Sequence, residues 1–122
     1  MNKKLINAVA KQAGGVRNLK ESVSDVVNHG AAGGYTGFIY YEDTVAFTKK
    51  NLVLIMQHLN DCADDLGFNA LDLLSNFNCF KNMSNYEIFD GLMNPDSADR
   101  QTVYNGLAWF ALEEVASHIA EE

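Results

Sequence analysis

His58 and Cys62 stand four residues apart in a segment whose apolar spacing is helical, so both side chains share one face, one turn apart. An imidazole nitrogen and a thiolate are ligands of zinc-class metals, and Asp61 or Asp65 could add an oxygen. Two firm ligands are not four, and His29 and His118 lie too far along the chain to be counted with them. The more economical reading makes Cys62 a small buried residue, and neither a metal nor a cofactor is expected. Glu42 with Asp43 offers a carboxylate pair for acid–base work, although a helix cap at Asp43 and a solvated charge at Glu42 explain both. The glycine cluster at 30–37 could fold its N–H groups into an anion-binding nest. No Lys or Arg lies between Lys20 and Lys49 to supply countercharge, so tight turns are the expected use of these glycines. The sequence contains no HExxH, G-x-S-x-G, CxxC, Walker lysine or G-x-G-x-x-G. It reads as non-enzymatic, with no catalytic residue to name.

The elements that must position these groups are helical. Asn2 caps a first helix with Leu5, Ile6, Val9 and Ala13 on one face, and Gly14-Gly15 stops it. In 16–28, Leu19, Val23, Val26 and Val27 recur at helical spacing, and His29-Gly30 closes the segment. Glu42-Asp43-Thr44 reads as a helix start, with Asp43 or Thr44 capping. The stretch 51–66 is amphipathic, with Leu52, Ile55, Met56, Leu59 and Ala63 inward and Asp61, Asp64 and Asp65 outward, and Gly67 ends it at C′. Asn69 caps a short helix, Ser84 with Glu87 makes a capping box, and Asn94-Pro95 is a break. A last helix over 97–120 shows a stripe of Val103, Leu107, Phe110, Ala111, Val115 and Ile119. The expectation is an all-α, compact single-domain bundle of about six helices spanning 1–122. A Gly- and aromatic-rich loop lies at 30–41, where a short β-hairpin over 35–41 is the competing reading.

Charge and aromatic content narrow the partners. The chain has 122 residues, 48% of them hydrophobic, enough for a real core, and no apolar run long enough to cross a membrane. The apolar residues of 1–13 are interrupted by Asn7, Lys11 and Gln12, so no secretory leader is expected there, and two cysteines suit a reducing cytoplasm. Sixteen acids against nine bases give a net charge of −7. The imbalance is uneven, because 42–122 hold fourteen of those acids and only four bases. Such a field repels nucleic acid and favours a basic partner, or serves solubility alone. Lys3, Lys4 and Lys11 are too few for a nucleic-acid or membrane surface, so neither direct nucleic-acid binding nor membrane attachment is expected. Five of the thirteen aromatics fall within 35–47. Phe38, Ile39 and Phe47 are assigned to the core, and Tyr35, Tyr40 and Tyr41 to a partner surface, where rings offer area for few rotatable bonds.

Over 31–47 the chain runs Ala-Ala-Gly-Gly-Tyr-Thr-Gly-Phe-Ile-Tyr-Tyr-Glu-Asp-Thr-Val-Ala-Phe. There it resembles small accessory proteins encoded by phages and plasmids. The resemblance implies an anti-CRISPR or anti-restriction inhibitor working in the host cell cytoplasm, and it brings no catalytic residue. Joined to the charge map, it gives an expected function: binding a host defence protein or ribonucleoprotein complex through its basic surface. Asp61, Asp64, Asp65 and Asp72, with Tyr35, Tyr40 and Tyr41, would make the contact. The alternative is a phage regulatory or assembly protein that acts by self-association as a homodimer.

Overall fold

The computed structural model describes residues 1–29 and 35–122, and among these every regular element is helical. The expected closure of the second helix at Gly30 and most of the glycine cluster lie outside the described residues. In chain order the helices are α1 (Lys3–Gln12), α2 (Val16–His29), α3 (Tyr41–Leu66), α4 (Ala70–Ser75), α5 (Asn85–Met93) and α6 (Arg100–Ala120), with a single 3-10 turn at Asn78–Phe80 between α4 and α5. The all-α bundle of six helices is therefore what the sequence leads one to expect.

Local chemistry sets the boundaries. The Asn2 side chain accepts from the Lys4 N–H at 2.8 Å, and Gly14 and Gly15 leave α1 with φ of 92° and 131°, a region closed to side-chain-bearing residues. Gly67 ends α3 at φ 74°, Asn69 caps α4, and Ser84 and Glu87 exchange both bonds of a capping box on α5. Helix α3 starts at Tyr41, one residue before the expected Glu42, and Asp43 is the backbone acceptor expected there. Tyr40 is the capping residue, and the Asp43 carboxylate reaches back to accept from the backbone N–H groups of Tyr40 and Ile39 at 2.9 and 3.1 Å. The helix start at 42–44 and the amphipathic stretch 51–66 belong to one helix, bent at Asn51, whose φ of −117° and ψ of 19° leave the helical region. The Asn51 side-chain amide donates to the Phe47 carbonyl at 2.9 Å and so satisfies an acceptor beside the bend. The last helix starts at Arg100 rather than 97, because Ser97 is drawn into a turn by its bond to Asp90 at 2.6 Å.

Helix α6 is the axis of the bundle. It packs against α1, α2, α3, α5 and the 3-10 turn. Ten of its residues are buried, among them Val103, Leu107, Ala111 and Val115 at zero exposure. Close approach matters at Gly106, where an added Cβ would lie 2.5 Å from the tip of the buried Phe80 ring. Two threonines lock α3 to this axis: the Thr48 hydroxyl donates to the Tyr104 carbonyl, and Thr44 sits between the Tyr41 carbonyl and the Asn105 side chain. Arg100 fastens α5, donating to the Leu92 carbonyl at 2.9 Å and lying 4.5 Å over the Tyr104 ring.

Residues 35–40 form a turn and bends rather than a strand, so the described part of the hairpin reading is not realised. This segment is tied to the end of α1. Tyr35 Oη donates to the Val9 carbonyl at 2.8 Å, Thr36 Oγ1 to Ala13, and Gln12 Nε2 to the Gly37 carbonyl at 2.9 Å. Phe38 is the hub, meeting Tyr35, Phe47 and Trp109 edge to face with centroids 5.0, 5.2 and 5.0 Å away. Two assignments are thereby exchanged. Tyr35 is a core residue at 6% exposure, not a surface anchor, because its ring closes the Phe38 cluster while its hydroxyl finds a backbone acceptor. Ile39, assigned to the core, is 70% exposed on the outer side of the bend.

Candidate functional site

The second half of α3 brings His58 and Cys62 to the surface that faces α6, and α6 answers with Glu114. His58 Nε2 lies 3.2 Å from Glu114 Oε1, Cys62 Sγ lies 3.3 Å from His58 Nε2, and Cys62 Sγ donates to Glu114 Oε1 at 3.4 Å. The His58 side chain is 11% exposed and that of Glu114 35%, so the cluster sits at the boundary between core and solvent. Phe110, one turn before Glu114, backs the imidazole with its ring at 6.0 Å. Hydrogen bonding from His58 holds the Glu114 carboxyl below its usual range. Burial, followed by the Glu114 charge, pushes the Cys62 thiol up to about 11.

These contacts separate two kinds of chemistry. In a thiol relay the imidazole stands between nucleophile and acid, one nitrogen facing each. Here Nε2 contacts both the carboxylate and the sulfur, the sulfur also lies 3.9 Å from Nδ1, and the carboxylate touches the sulfur as well. A thiol held protonated at neutral pH is a poor nucleophile. The three donor atoms converge on one point rather than forming a chain, which is the arrangement of ligands around an ion. Among the described residues, this is the one group of three His, Cys or carboxylate side chains close enough to hold a metal.

The cluster opens into a cleft of about 800 Å³. Asp61, Asp64 and Asp65 line it from α3, Glu114 and His118 from α6, Glu121 from just beyond α6, and Met1 and Asn2 from the segment before α1. Three of the seven residues singled out by sequence are thus brought together. The other four are elsewhere. Asp72 is half-buried on α4, its carboxylate accepting from Asn69 at 2.7 Å and Asn85 at 3.2 Å, so it joins α4 to α5 rather than facing the cleft. Tyr40 and Tyr41 are exposed at 67% and 50%, but they lie at the opposite end of α3. At 1.5 Å per residue they stand about 30 Å along the helix from Asp61. Tyr35 is buried, as described above. Glu114 escaped the sequence reading, yet it carried a signal: one turn after Phe110, it interrupts the apolar stripe of α6 with a charge.

A small helical bundle built on its last helix, with a mixed nitrogen, sulfur and oxygen cluster at an acidic cleft, is the class of protein that emerges. The chain belongs to the DUF7222 family, a domain of unknown function, which matches residues 2–122. No curated protein and no solved structure matches it. No described helix is long and apolar enough to cross a membrane.

Proposed function

We propose that the protein is a non-enzymatic inhibitor, carried by a phage or other mobile element, that binds a basic, nucleic-acid-handling surface of a host defence complex in the cytoplasm. One observation carries this reading. Asp61, Asp64, Asp65, Glu114 and Glu121 surround a single cleft whose lining, among the described residues, holds no Lys or Arg. The three aspartates also sit in the last two turns of α3, where the helix dipole disfavours negative charge and the last turn holds no basic residue. Residues kept against their own helix's electrostatics suit recognition better than stability. A partner that normally holds phosphates offers the complementary field, and binding would weaken with salt and compete with nucleic acid. The test is phage plating on cells with an active CRISPR or restriction system. Expression of the protein should restore plating, and joint replacement Asp61→Lys, Asp64→Lys and Asp65→Lys should abolish the effect. Full inhibition by that variant would remove the cleft as the contact.

A second reading, self-association as a phage regulatory or assembly protein, draws on the opposite end of α3. There Ile39, Tyr40 and Tyr41 form an exposed apolar run. A homodimer in sedimentation that Tyr40→Ala with Tyr41→Ala dissociates, without any effect on plating, would favour it.

A further inference from the structure

We infer that His58 Nε2, Cys62 Sγ and Glu114 Oε1 form a binding site for a tetrahedral divalent metal of the zinc class, with its fourth position open to the acidic cleft. The distances between the donors carry the inference. Zinc takes nitrogen and oxygen at about 2.0–2.1 Å and thiolate at about 2.3 Å, so tetrahedral geometry requires nitrogen–oxygen edges of about 3.4 Å and sulfur edges of about 3.6 Å. The observed edges are 3.2, 3.3 and 3.4 Å, and because Cys62 Sγ also lies 3.9 Å from His58 Nδ1, a turn of the imidazole about χ2 is needed to aim the Nε2 lone pair at the shared ion. A ligand face of nearly the right size is therefore already assembled by two packed helices. His58 and Cys62 come from one turn of α3, and Glu114 from α6, which α3 grips through Thr44 and Thr48. The site costs little further ordering of the chain.

The donor set selects the ion. One thiolate and one imidazole favour zinc, cobalt or nickel over magnesium and calcium, which prefer oxygen alone. On binding, the Cys62 thiol gives its proton to solvent and the thiolate forms the metal–sulfur bond. Three protein ligands leave a fourth position, and the cleft supplies water to it. Asp61, Asp64 and Asp65 raise the local concentration of cations there without themselves being ligands. A bound cation would also offset the unfavourable charge at the end of α3.

Cobalt(II) is the probe, added to the full-length chain after chelator treatment, because its spectrum reports both geometry and sulfur ligation. One equivalent should produce intense visible bands of tetrahedral cobalt together with a near-ultraviolet sulfur-to-cobalt band, and zinc should displace it. Cys62→Ser should remove the sulfur band, and Glu114→Gln or His58→Gln should weaken binding about a hundredfold, by analogy with the tenfold to hundredfold effects seen one shell further out. Asp64→Asn, outside the ligand set, should leave affinity within about threefold. Helical circular dichroism on each variant separates lost ligation from lost folding. Failure of the wild-type chain to bind one equivalent, pale octahedral bands without the sulfur transition, or unaltered binding by folded Cys62→Ser would each overturn the site.

Discussion

The two ends of α3 are built on opposite principles. At its N-terminal end Glu42 and Asp43 complement the helix dipole, Asp43 caps the backbone, and Thr44, Phe47 and Thr48 are buried against the core. At its C-terminal end Asp61, Asp64 and Asp65 oppose the dipole, and His58, Cys62 and Glu114 hold ionisable groups at the rim of a wet cleft. The first end gathers satisfied contacts, and the second gathers unspent charge. Within one helix, then, buried contacts are concentrated where the aromatic hub lies, and exposed charge where the acids lie. The bend at Asn51 falls between the two.

The contrast can be broken by substitution, starting with the hub. Phe38→Ala removes a ring that touches three other aromatics, and it should cost about 3–5 kcal/mol in denaturant unfolding. Thr48→Val keeps the shape but removes the donor to Tyr104, for a loss of about 1 kcal/mol by the same measurement. Tyr35→Phe should cost a similar amount, about 1 kcal/mol, through the lost bond to Val9. It also has a pH signature. Burial holds the Tyr35 phenol well above its ordinary range, so the folded chain keeps a proton that the unfolded chain releases above about pH 10. Stability contributed by Tyr35 is complete below that pH and declines above it, and melting curves of Tyr35→Phe should show a shallower alkaline decline. The smallest effect belongs to the acidic end and has the opposite sign. Asp64→Asn with Asp65→Asn should raise the melting temperature slightly, more at low salt than at high salt. A loss of stability there would mean that the acids are structural after all.

Much of the fold could be read locally. The Asn2 cap, the Gly14-Gly15 stop, the Gly67 terminus and the Ser84–Glu87 box each depend on residues within one turn of one another. The exchange of Tyr35 and Ile39 could not be read that way. Which of two neighbouring apolar side chains turns inward was decided by the end of α1, some 26 residues upstream, where the Val9 carbonyl accepts the phenol. The candidate site divides along the same line. His58 and Cys62 announced themselves by helical spacing, but Glu114 joins them across 52 residues, through a register between α3 and α6 set by the threonine locks. Asp72 looked like its acidic neighbours until the amides of Asn69 and Asn85 were found to engage it.

The place of α6 in the chain order has a consequence for biosynthesis. Every helix that leans on it precedes it, so on the ribosome α1 to α3 emerge without the surface they were shaped to meet. At about 5–20 residues per second, roughly 5–20 s separate the completion of α1 from that of α6. Throughout that interval Leu5, Leu19 and Ile55, all but fully buried in the finished bundle, have only each other or a chaperone for cover. Translation halted before Arg100 would release a chain with amphipathic helices and no axis, a substrate for degradation rather than a smaller version of the protein.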